Sequence, residues 1–169
     1  MSNVLWPIFG VIALILLVFL ALNSCVMMTK PIPNRFQLGQ VTTGKQSLVA
    51  FWPHGHHHEL ILGVAGAEWD HPPDFAATIL FRDGDHVSAS LNVLSANTVS
   101  CNWLQPQDIQ GFILTWPNTN EWEHSLVPGQ QYVIDCTFTG NIPSSSTLWV
   151  SCLQTEIDRR KTRRNRTKP

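Results

Sequence analysis

The sequence predicts an all-β body, an antiparallel β-sandwich or jelly-roll-like domain, preceded by one N-terminal hydrophobic membrane helix. Three observations carry this. Val4 to Leu22 is an uncharged run of 19 residues. After it, short β-rich runs recur with turn signals about every ten residues. Apolar residues make up 44% of the chain against 14% charged, with seven Trp, a composition that excludes a disordered, collagen-like or coiled-coil protein. The expected organisation is a signal or anchor over 1–25, a linker over 26–33, the sandwich over 34–155 and a basic disordered tail over 156–169.

The opening run would rise about 28 Å as a helix, close to the thickness of a hydrocarbon core. Pro7 falls in its first turn, where a missing N–H costs little. Two membrane readings follow. In one the helix is an uncleaved anchor. In the other it is a signal peptide processed at Cys25, because Leu22-Asn23-Ser24-Cys25 resembles a bacterial lipobox, with the Cys as the lipidation site. The two readings orient the body differently. Lys30 and Arg35 follow the helix, which by the positive-inside rule favours a cytoplasmic body. The lipobox favours export to the periplasm, and export is the expectation adopted.

Strand candidates are Ser47–Trp52, His57–Val64, Ala77–Phe81, His86–Val93, Thr98–Leu104, Gly111–Trp116, Gln131–Phe138 and Thr147–Leu153. Alternation is clearest in the last two, read as hairpin partners. Tyr132, Ile134, Cys136 and Phe138 share one face, which Leu148, Val150 and Cys152 can meet. Asp83-Gly84 marks a tight hairpin. Asp83-Gly84-Asp85-His86 lacks the later acidic ligands of a calcium loop. Pro128-Gly129 and Ser144–Ser146 mark further turns. Cys101, Cys136 and Cys152 read as small buried hydrophobes, although a Cys136–Cys152 pairing is open.

Charge is unevenly spread. Between Lys30 and Thr155 ten acids face four bases, whereas from Glu156 onward seven bases face two acids. An acidic body argues against nucleic acid as a partner. The tail, Arg159-Arg160-Lys161-Thr162-Arg163-Arg164-Asn165-Arg166, carries nothing that would join a core. It is expected to be a solvated terminus or a segment lying on anionic lipid head groups.

Candidate chemistry concentrates in two stretches. In Pro53-His54-Gly55-His56-His57-His58-Glu59, a regular strand would place His56 and His58 on one face, where with His54 they could hold zinc or copper. The helical zinc-protease spacing is absent. In Trp116-Pro117-Asn118-Thr119-Asn120-Glu121-Trp122-Glu123, two Trp flank a polar, Asn-rich loop suited to anchoring a protein partner or stacking on a sugar. Trp69, between Glu68 and Asp70, is expected on the same surface. The partner-binding candidates are therefore Trp69, Trp116, Asn118, Asn120, Glu121, Trp122 and Glu123, whose acids suit a basic partner. No Gly-x-Ser-x-Gly, Gly-rich phosphate loop or Cys–His framework is present, so no enzymatic activity is expected and no cofactor is required.

The order Ser100-Cys101-Asn102-Trp103-Leu104, then Leu126-Val127-Pro128-Gly129-Gln130-Gln131-Tyr132, then Ser145-Ser146-Thr147-Leu148-Trp149-Val150 resembles small exported proteobacterial lipoproteins with a single uncharacterised β-sandwich domain. Some of these shield a cell from toxins delivered by neighbours. The resemblance implies a periplasmic immunity or binding role. The expected function is thus a membrane-tethered, non-catalytic module binding a protein partner, with a His-cluster metal module and a carbohydrate-binding domain as alternatives.

Overall fold

The computed structural model describes residues 5–65, 73–103, 109–114 and 125–167. It opens with helix α1, Leu5–Thr29. Nine strands follow: β1 Ile32–Gln40, β2 Gly44–Phe51, β3 His56–Ala65, β4 Phe75–Asp83, β5 His86–Leu94, β6 Val99–Trp103, β7 Ile109–Ile113, β8 Gln131–Gly140 and β9 Ser146–Gln154. A second helix, α2, spans Glu156–Arg166. The strands form two antiparallel sheets, of order β1-β9-β3-β7-β6 and β2-β8-β4-β5.

Each of the eight expected strands has a counterpart among the described residues, because their alternation matches a two-sheet core; Leu104, Thr115 and Trp116 lie outside the described residues. Tyr132, Ile134, Cys136 and Phe138 are buried along β8 while Gln131 and Val133 face out. Leu148, Val150 and Cys152 are buried along β9. The two runs are not hairpin partners, however. β8 pairs with β2 and β4, and β9 with β1 and β3. Their apolar faces meet across the core instead, where Leu60, Leu62 and Phe112 oppose Ile79, Phe81 and Leu91. Cys136 and Cys152 are not joined in a disulfide. Burial, with the charge of Asp135 adding to it, pushes the Cys136 thiol up to about 12, so it stays protonated and unreactive. The side chain of Cys101 lies outside the described residues.

The Asp83-Gly84 signal is a tight β4–β5 hairpin in which Asp83 pairs with His86 and Gly84 takes φ +59°.

Two boundaries differ from the expectation. The linker shrinks to Lys30 and Pro31, and β1 begins at Ile32. Pro33 had read as linker, but β1 is an edge strand, and an edge tolerates a proline because one row of N–H groups has no partner to lose. The tail after Asp158 is helical rather than disordered. A capping box supplies the reason: Thr155 Oγ1 accepts from the Asp158 N–H at 3.2 Å, and Asp158 Oδ2 accepts from the Thr155 N–H at 3.0 Å. Together they satisfy two donors that would otherwise be orphaned at the helix start.

Among the described residues, no helix is long and apolar enough to cross a membrane. The apolar run read from the sequence begins at Val4, and the side chains up to Phe9 lie outside the described residues. From Leu14 to Leu20 every side chain of α1 is more than half exposed. At 100° per residue these positions cover the full circumference of the helix.

Candidate functional site

One end of the sandwich gathers the start of β1, the start of β3, the end of β9 and the turn before β8, and α2 lies across it. Gln154 organises this end. It is wholly buried and accepts from Asn34 Nδ2 at 2.9 Å. Its own amide donates to Thr162 Oγ1 at 3.1 Å and to the His54 carbonyl. Thr162 Oγ1 also accepts the His54 N–H at 3.2 Å. Asn165 Nδ2 donates to the Gly129 carbonyl at 3.2 Å, and the Arg166 guanidinium stacks 5.0 Å above the Phe36 ring. Thr155, Asp158, Thr162 and Asn165 recur at helical spacing, so α2 is amphipathic in an unusual sense: its docking stripe is polar and its outer face cationic.

The histidines of the 54–58 stretch are drawn into this packing rather than gathered for a metal. His57 takes φ +52°, and the β3–β9 register slips between His56 and Glu59. This bulge breaks the strict alternation on which a shared His56–His58 face depended. His56 is exposed while His58 is buried. The His58 ring lies 4.9 Å from the Trp52 ring, with Nε2 3.1 Å from the Pro53 carbonyl. His54 is held against α2, its Nε2 3.5 Å from Asn165 Nδ2. Burial and the nearby Lys161 charge lower the His54 pKa against an opposing pull from Asp158. Among the described residues no three His, Cys, Asp or Glu side chains come together as metal ligands. An open cleft of about 530 Å³ lies beside this stretch, lined by Gly55, His56, His57, His58 and Leu126–Pro128.

Trp69, Trp116, Asn118, Asn120, Glu121, Trp122 and Glu123 lie outside the described residues, and with them the protein-partner and sugar-stacking readings. Their flanking residues are described. The Leu114 N–H donates to the Leu60 carbonyl at 2.9 Å, and Leu126–Pro128 line the cleft next to the start of β3. Segment 66–72 departs from Ala65, the last residue of β3, ~16 Å further along the strand than Leu60.

Cys25 is exposed on α1, and its carbonyl accepts from Thr29 Oγ1 at 3.1 Å. The helix runs through it without a break.

Sequence reasoning missed the α2 dock. The signal that could have found it was the Thr155-x-x-Asp158 spacing, a capping box in form. Nothing in the sequence marked Gln154, Gly129 or Asn165 as its partners. Comparison of the chain with protein-family models, with characterised proteins and with solved structures finds no match.

Proposed function

We propose that the chain is a membrane-tethered, non-catalytic β-sandwich that binds a protein partner outside the cytoplasmic membrane, in the manner of a toxin-neutralising lipoprotein. The observation that carries the tether is the exposure of α1. Val11, Leu14, Ile15, Leu17, Phe19 and Leu20 are exposed on every side of it, next to a sandwich that closes a core of its own and exposes single apolar residues such as Val49, Leu94 and Val99 rather than a continuous apolar surface. Removing each such side chain from water is worth about 1.5–3 kcal/mol. Acyl chains offer that removal on all faces at once, with the backbone polar groups of the helix interior already bonded along the helix.

The tether takes one of two forms. The intact helix inserts, or Cys25 is acylated after cleavage and only Cys25–Thr29 of α1 remains. The partner surface is the segment bearing Trp116, Asn118, Asn120, Glu121, Trp122 and Glu123. Its aromatic anchors supply contact area, and its acids, with the acidic excess of the body, steer a basic partner. Tethering raises the local concentration of that surface at the bilayer, which makes one moderate interface effective.

Fractionation and intact mass test this reading. The full chain is expected to stay with membranes through an alkaline wash and to leave only in detergent, and its mass reports anchor or acylation. Recovery in the aqueous fraction ends the proposal. Trp122→Ala and Glu121→Lys are each expected to weaken a cognate partner by tenfold or more, as buried aromatic anchors and complementary charges do.

A further inference from the structure

The outward face of α2 is not used by the reading above. Its polar stripe is turned to the sandwich, which leaves Arg160, Lys161, Arg163 and Arg164 exposed together. Arg159 and Arg160 pair with Glu156 at 3.9 and 3.4 Å. Among the described residues Lys161, Arg163 and Arg164 enter no ion pair. The chain between Lys30 and Thr155 is acidic in sum, yet the sequence concentrates seven bases after Glu156.

The position of this face is fixed by the strands. β1 begins two residues after α1 ends, at Ile32, and Ile32 pairs with Gln154. Only Thr155 separates Gln154 from α2, and the two helices touch. α2 therefore begins where α1 leaves the sandwich and stays in contact with it. If α1 occupies the acyl layer, that level is the head-group layer.

We propose that α2 is a second membrane contact, whose exposed Arg160, Lys161, Arg163 and Arg164 bind the phosphates of anionic phospholipids at the exit of α1. This rests on the membrane-tether reading and adds to it a lipid class and a fixed orientation. A disordered basic tail would reach the same phosphates, but docking by Thr162 and Asn165 holds the four cations on one rigid plane and removes the ordering entropy from the binding step. Each basic residue held near an anionic surface strengthens binding by about fivefold. The attraction fades beyond about 10 Å at 0.1 M salt.

The test uses the full chain, diluted from detergent into a mixture of neutral phosphatidylcholine vesicles and denser vesicles containing phosphatidylglycerol. The native chain is expected on the anionic vesicles by at least tenfold, with that preference falling as salt rises. Replacing all four residues by Gln is expected to bring the distribution close to even, with the total bound to membranes unchanged. Replacing the three arginines by Lys keeps the charge and is expected to keep the preference, which also separates lost charge from lost folding. An even distribution of the native chain, or a preference that survives the Gln replacement, overturns the α2 contact and leaves the tether standing. Failure to join either vesicle overturns the tether, and this proposal with it. Tighter binding of an oligonucleotide than of anionic vesicles assigns the cationic face to nucleic acid and overturns the lipid assignment.

Discussion

The two helices that flank the sandwich are opposites. α1 is apolar around its whole circumference, and its side chains from Leu14 to Leu20 stand exposed. α2 is among the most polar segments of the chain, yet it is packed, with Thr162 buried and its first turn closed by a capping box. The difference teaches that helix formation here has two separate sources. α1, at 25 residues, is long enough to be expected to hold its helix without the sandwich. An isolated helix as short as α2 would be marginal in water, so it exists because the sandwich end supplies acceptors and donors at the spacing of one helical stripe.

That contrast can be broken most forcefully at the core. Phe138→Ala, at a position with no solvent exposure, is expected to destabilise the sandwich by about 3–5 kcal/mol. Circular dichroism in detergent should then show strand and α2 signal melting together at a lower temperature while the signal of α1 persists. Co-melting of all helical signal would mean that α1 also depends on the sandwich.

The next largest effect is expected at Gly129, whose φ of +86° sits in the left-handed region. A Cβ there would stand 2.8 Å from His54 Nε2 and crowd Asn165 as well. Gly129→Ala is expected to cost about 1–3 kcal/mol and to increase amide exchange across α2. Unchanged exchange would show that the Asn165 contact does not hold the helix. Thr162→Val keeps the shape but strips the acceptor from the His54 N–H and the Gln154 amide. Leaving such groups unbonded costs about 1–3 kcal/mol, visible as proteolysis after Arg159 at protease levels the native chain resists.

Smaller effects sharpen the comparison at the cap. Thr155→Ala should remove about 1 kcal/mol from α2. Acid should act in the same direction. Burial raises the Asp158 pKa, but hydrogen bonds from Thr155, with the charges of His56 and Lys161, outweigh it and leave a net lowering. The cap's contribution is therefore complete above the ordinary carboxylate range and is lost as pH falls through the lowered value. The His54 pKa is also lowered. An unfolded His takes its proton near pH 6.5 and the docked one only at lower pH, so α2 is expected to loosen as pH drops below 6.5. Amide exchange of α2 followed from pH 7.5 to 2 reads both steps, and Asp158→Asn should remove the lower one.

Legibility in the sequence followed the same division. Elements held by hydrophobic alternation were readable: the buried row Tyr132, Ile134, Cys136 and Phe138, and the Asp83-Gly84 hairpin. Pairing was not, because alternation reports which face is buried and not which strand lies beside it. β8 and β9 thus looked like a hairpin although they belong to different sheets. β1 was hidden by Pro31 and Pro33, which break strands except at an edge. The histidine row was misjudged for a related reason. One bulged residue, His57, turns the face of everything after it, and a bulge leaves no mark in a polar stretch. α2 was invisible to hydropathy because its dock is made of hydrogen bonds. Of the candidate site, the Trp-bearing stretch lies outside the described residues, and the α2 surface was seen only as an excess of charge.

The antiparallel neighbours β1 and β9 bring the beginning and the end of the sandwich to the same pole, with Ile32 opposite Gln154. A short peptide bridge could join these ends, with new termini opened between Gly84 and Asp85 in an exposed turn. Such a circularly permuted, helix-free version would allow the sandwich to be handled in plain buffer.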